Sequence, residues 1–220
     1  VLQSAVTPVD RPTVANAEIA SNSVSDSPLP ETAIRANVAA ITGNGPFIAV
    51  SLNPIVPLPE SSGFVAQLAA QLAGLARATD AVVVLVPHVG DLHGPAVEDV
   101  AFAAAVVDAA GPGSRVVAAP LPSIAEAVWY CRHAAIVISA RYHPIVFATG
   151  AGTPALFLHQ DYYTQVKGQG ALALVGLESW ALAANVAAGG LLVPAALDLW
   201  QQRAAIRDHL RALNPAIESA

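Results

Sequence analysis

Apolar residues in this chain come in short runs, each closed by a polar turn and followed by a longer stretch of helical period. The first clear run, residues 47–52, reads as a strand ending at Asn53-Pro54. Ser61 or Ser62 can cap a helix reaching about residue 77, with Gln67 and Gln71 on its polar side. The continuous apolar run 81–86 fits a strand covered on both faces. A helix over about 96–110, stopped by Gly111-Pro112-Gly113, leads to a short strand over 115–118. Ser123 caps a helix over 124–133, and a strand over 135–138 follows. Pro144 stands where the first residue of the next helix is expected, since its fixed φ and missing N–H suit that place. Gly150-Ala151-Gly152-Thr153-Pro154 turns into a strand over 155–158. Residues 165–174 and 179–187 read as helices, and Pro194 begins a last helix that ends at Asn214-Pro215.

Five strands separated by helices predict an α/β fold, a Rossmann-like doubly wound parallel sheet, over residues 46–220. Residues 1–45 differ: Ser, Thr, Asn, Pro and Val dominate without a lasting helical period. They read as an extended tail or linker, the end of a preceding domain, with one edge strand at 19–24 and a turn at 25–30.

The polar turns at the strand ends carry the candidate chemistry, because ligands of open α/β sheets bind beyond the carboxyl ends of strands. Ser139-Ala140-Arg141-Tyr142-His143 closes one strand and opens a helix, whose free N–H groups already attract anions. The planar Arg141 fork can grip a phosphate or carboxylate in two places. His143 can cap the helix, donate to an anion or act as an acid near neutral pH. His88 ends a neighbouring strand and is expected to face the same crevice; His159 and Asp161 can line its rim. His88, Asp91 and His93 have a spacing that a divalent metal could use, but no fourth ligand is evident, so no metal is expected.

Other chemistries lose support from the same sequence. There is no Gly-x-Gly-x-x-Gly after the first strand, no P-loop and no Gly-x-Ser-x-Gly elbow, so no cofactor is expected. Net charge is −6 without a basic stripe, which argues against nucleic acid as a partner. No apolar run reaches the roughly 18–20 residues of a membrane span. The lone Cys131 leaves no disulfide framework and reads as core. With no leader-like start, the cytoplasm is the expected compartment. The absence of Met reads as a fragment or processed piece. Only 12% of residues are charged, against about 25% in typical domains, so another domain or subunit is expected to cover one face. Arg outnumbers Lys nine to one, and the one lysine, Lys167, follows Asp161-Tyr162-Tyr163.

Together, Val137 through Ala148 with Ser139-x-Arg141-x-His143, then Gly152-Thr153-Pro154, then Asp161-Tyr162-Tyr163-Thr164-Gln165-Val166-Lys167 resemble the polysaccharide pyruvyl transferase family. The resemblance is clear over about residues 80–180, and Ser25-Asp26-Ser27-Pro28 looks like that family's interdomain hinge. It implies the second half of a two-domain, GT-B-like protein that moves a pyruvyl unit from phosphoenolpyruvate to a glycan acceptor. It further implies that Arg141 and His143 hold the donor and carry the catalysis, with His143 as proton source. Ser139, His88, Lys167 and Asn53 complete the expected donor contacts. Asn53 stands where many family members carry an Arg, so His88 or Lys167 would have to replace that cation. The acceptor-binding first domain is expected to lie outside this chain. Two alternatives remain open at this point. One is a nucleotide-sugar glycosyltransferase or epimerase domain, with Glu178 and Trp180 as weak candidates for ribose and base. The other is a non-catalytic binding domain.

Overall fold

The computed structural model describes residues 30–52, 63–88 and 98–214. Its elements in chain order are α1 (Glu31–Thr42), β1 (Phe47–Ser51), α2 (Phe64–Thr79), β2 (Val82–Leu85), α3 (Glu98–Ala110), β3 (Val116–Ala118), α4 (Ile124–His133), β4 (Ile136–Ser139), α5 (Tyr142–Gly150), β5 (Ala155–His159), α6 (Tyr162–Ala173), β6 (Ala181–Ala183), a single turn α7 (Ala184–Val186), and α8 (Leu192–Leu213). Every described strand pairing is parallel, and the strands lie in the order β3-β2-β1-β4-β5-β6. The chain therefore winds outward from β1 in one direction and from β4 in the other. The connecting helices pack in two groups, as a doubly wound sheet with both faces covered requires. α2 packs on α3 and α8, while α5 packs between α4 and α6. This is the doubly wound α/β sheet expected from the alternating pattern, and the winding reverses between β1 and β4.

Burial explains why the strands read as unbroken apolar runs. All of β1 and β4 is buried, Ser51 and Ser139 included. The side chains of Ile48, Ile136, Ile138, Leu156 and Phe157 are enclosed between the helical layers. Cys131 is core as expected, and burial pushes its thiol up to about 12, which leaves it unreactive. Gly168 lets α6 close onto the sheet: a Cβ there would come within 1.9 Å of the Phe157 ring.

Four local expectations are corrected. Residues 31–42, read as part of an extended connection, form α1, which places Ile34 and Val38 in the core. Their spacing is helical, but the Pro- and Ser-rich residues before them obscured it. Residues 179–187, read as helix, contain the sixth strand instead. The outer edge of β5 offers unpaired N–H and C=O groups, and β6 satisfies them through the pairs Phe157↔Ala181 and His159↔Ala183. That gain outweighs the helical preference of alanine. The sixth helix begins at Tyr162 instead of 165, because Asp161 and Thr164 form a complete capping box. Pro144 is the third residue of α5, where the first-turn N–H would also lack an intrahelical partner. The proposed strand at 19–24 and the caps Ser61 and Ser62 lie outside the described residues, as do Asn53, Asp91 and His93.

Candidate functional site

Helices that follow strands begin on the carboxyl side of the parallel sheet, and the N-termini of three that pack side by side, α4, α5 and α6, are not equivalent. At α4, the Ser123 side chain accepts from the Glu126 N–H while the Glu126 carboxylate accepts from the Ser123 N–H. At α6, Asp161 and Thr164 satisfy one another in the same reciprocal way. At α5, the N-cap residue is Arg141, and no side chain among the described residues caps the helix. The first-turn N–H groups of Tyr142 and His143 therefore remain available to an incoming anion.

Ser139 builds this uncapped corner. It is fully buried, and its hydroxyl accepts from the Arg141 N–H and donates to the Arg141 carbonyl, both at 2.9 Å. It therefore shapes the turn from behind and is absent from the cavity wall, in contrast to its expected place among the ligand contacts.

In front of the turn lies a cavity of about 440 Å³. Arg141, Tyr142, His143 and His88 line it on the side of the strand ends; Ser123 and Ile124 line it from the start of α4. Arg141 and His143 thus meet in one space, and His88 joins them, as the strand-end pattern implied. Arg141 donates from Nη2 to Asp99 Oδ1 at 2.6 Å. Its Nε is buried without a partner among the described residues. The guanidinium has five N–H donors, so the Asp99 contact leaves capacity for a ligand. His143 is exposed and forms no side-chain hydrogen bond among the described residues, so it is not the helix cap. Tyr142 lines the cavity as well.

Beside β1, the His88 ring is held through Nδ1, which lies 2.8 Å from Ser51 Oγ and 3.0 Å from the Val86 carbonyl. Donation from Nδ1–H to that carbonyl leaves Nε2 as the acceptor in the neutral ring. Burial, chiefly, pushes the His88 pKa below its ordinary value; Arg141 and His143 press the same way, against the Val86 carbonyl and Asp99.

The remaining candidates sit elsewhere. Lys167 is exposed, with Nζ 4.5 Å from the Tyr142 ring centre and 5.9 Å from that of Tyr163. It thus reaches the cavity wall only through Tyr142. Asp161 is committed to the α6 cap. Trp180 is partly buried against the core, away from the residues that line the cavity. Asp99 was missed by the sequence reading. An acid in the first turn of a helix is common, and only the fold brings it to Arg141 and His88.

A family model described as polysaccharide pyruvyl transferase matches residues 26–162, well over half of the chain. Arg141, His143, His88, Ser139, Asn53 and Asp99 fall within the match; Lys167 falls just beyond it. Among solved structures, an O-GlcNAc transferase mutant from Thermobaculum terrenum is similar at a TM-score of 0.52 and 17% identity. That match covers 78% of this chain and 32% of the other. A glycotransferase of kitacinnamycin gives a TM-score of 0.38 at 14% identity, covering 76% of this chain and 40% of the other. The first of these shows a shared fold, and the chain spans about a third of that protein's length. No curated protein matches. Among the described residues no helix is long and apolar enough to cross a membrane.

Proposed function

The chain belongs to the polysaccharide pyruvyl transferase family, and from that premise we propose that it supplies the donor-binding half of a cytoplasmic transferase. The enzyme moves a pyruvyl group from phosphoenolpyruvate to a sugar of a cell-surface polysaccharide or glycan. The acceptor-binding half comes from another domain or subunit. One observation carries the reading: Arg141 and His143 share a cavity with the uncapped N-terminus of α5, where the sheet reverses its winding. A small, multiply charged anion suits that combination of fork, imidazole and free N–H groups.

In this reading Arg141 and the α5 N–H groups hold the phosphate and carboxylate. His143 gives a proton to the methylene carbon, and positive charge develops at the carbon bearing the phosphate ester. One sugar hydroxyl bonds to that carbon and loses its proton. A second hydroxyl bonds there and loses its proton as the carbon–oxygen bond to phosphate breaks. The products are a ketal and inorganic phosphate; one hydroxyl proton restores His143, and the other leaves to solvent or phosphate. An imidazole is suited to such steps because it gives and takes protons near neutral pH. His88 borders the donor, Ser139 sets the turn, and Lys167 supports the Tyr142 wall.

The test is calorimetric titration of the chain with phosphoenolpyruvate, with uridine diphosphate as comparison and Arg141→Lys as control. That control keeps a charge beside Asp99 and removes the fork. Selective phosphoenolpyruvate binding that weakens in the variant is expected. Preference for the nucleotide, or equal binding by the variant, would overturn the assignment.

A further inference from the structure

We propose that Asp99 is the positioning residue of this site, a buried carboxylate that holds the Arg141 fork and the His88 segment in one fixed relation. The inference rests on the donor-site reading above. Asp99 lies in the first turn of α3, with its side chain 1% exposed. Oδ1 accepts from Arg141 Nη2 at 2.6 Å, and Oδ2 accepts from the backbone N–H of His88 at 3.0 Å. His88 follows β2 and Arg141 follows β4, and β1 lies between those strands. The carboxylate therefore spans the end of β1, where Ser51 meets the His88 ring. It ties together two strand ends, those of β2 and β4, that the chain itself connects only through long crossovers.

The geometry suits a clamp better than a counter-charge. A free arginine has several rotatable bonds, and a ligand would have to immobilise them all. Held at Nη2, the guanidinium is oriented before the anion arrives. Its Nε is buried without a partner among the described residues, and Nη1 carries further donors. The same carboxylate fixes the backbone of His88, so the two donor-facing groups cannot drift independently. Misplacement of such groups by about 1 Å can cost 100-fold in a reaction.

The two roles predict opposite signs. A mere counter-charge weakens the local positive field, so Asp99→Asn would tighten anion binding. A clamp predicts the reverse. The experiment compares the native chain with Asp99→Asn and Asp99→Glu. It reads phosphoenolpyruvate affinity by calorimetry and Arg141 Nε–H line width and hydrogen exchange by NMR. Asp99→Asn is expected to weaken binding about tenfold or more and to loosen the Arg141 signal. Asp99→Glu keeps the charge, displaces the carboxylate by one methylene and is expected to weaken binding by a smaller factor. Unchanged or tighter binding in Asp99→Asn overturns the proposal. If that variant does not fold, Asp99→Glu decides, and native affinity there overturns it. If the native chain binds neither phosphoenolpyruvate nor inorganic phosphate, the donor-site reading fails by itself. Asp99 is then judged on the NMR signal: an Arg141 Nε–H as mobile in the native chain as in Asp99→Glu overturns the clamp.

Discussion

The β4–α5 and β5–α6 corners share one local plan, a buried strand, a polar turn and a helix carrying a cation close by, and the fold uses them differently. At β5–α6 the turn satisfies itself: Asp161 and Thr164 cap the helix, and Lys167 rests on tyrosine rings at the surface. At β4–α5 the helix is left uncapped, and Arg141 is gripped by a buried carboxylate beside a cavity. Asp161 already stands where an anion would bind at α6, whereas among the described residues no side chain caps α5. A polar residue with every valence met by its neighbours belongs to the architecture. A fixed donor with capacity left over belongs to a site.

The sharpest way to break this contrast is Arg141→Ala. It removes the charge partner of the buried Asp99, and a loss of about 3–5 kcal/mol in folding stability is expected by urea denaturation. Phosphoenolpyruvate affinity in the folded fraction should fall about 100-fold, the worth of roughly 3 kcal/mol in two charge-assisted hydrogen bonds. Stability close to native would mean that the pair is not a buried anchor.

Gly168→Ala tests the other corner. The new methyl must displace the Phe157 ring, so about 1–3 kcal/mol of stability should go. Donor affinity should stay as it was, and a parallel loss of affinity would show that the α6 corner reaches the site after all. Ser123→Ala removes half of the α4 capping box at the cavity edge, at an expected cost of about 1 kcal/mol in thermal denaturation.

His88 gives a pH signature. Its pKa is lowered in the folded state, mainly by burial, so the unfolded chain binds more protons over the window just below 6.5. Stability should therefore rise with pH through that window and fall as the solution is acidified. His88→Gln should flatten the slope, and an unchanged slope would assign it to another group. Smallest of all, Lys167→Met should leave phosphoenolpyruvate affinity within about fivefold, as expected for an exposed cation–π contact worth about 0.5–1 kcal/mol. A loss comparable to that of Arg141→Lys would dissolve the contrast between the corners.

Much of this arrangement was legible along the chain. Val137, Ile138 and Ser139 before Arg141 marked a buried strand meeting a polar turn, and Pro144 marked a helix starting there. Those signals are local, since a strand covered on both faces must be apolar and a first turn tolerates proline. Tyr142 was not legible, because a ring flanked by Arg141 and His143 can face the cavity or the core with equal local comfort. β6 was not legible either, since Ala181–Ala183 has no strand preference of its own and pairs only because β5 presents an open edge.

Alternation of apolar runs and helical periods determined the doubly wound sheet, and the residue types at one strand end pointed to a polar turn that the structure places beside a cavity. Tertiary structure alone decided which polar groups are occupied. Asp99 and Arg141 are 42 residues apart, and Ser51 and His88 are 37 apart. No local pattern encodes such contacts, because they arise only when β1, β2 and β4 are laid side by side. Capping, by contrast, is closed within three residues at Asp161 and Ser123; Ser123 reads as a cap in the sequence, whereas Asp161 reads there as part of the crevice rim. The physical difference is range: hydrogen bonds within a turn are set by the neighbours, while a buried ion pair is set by the packing that excludes water from it.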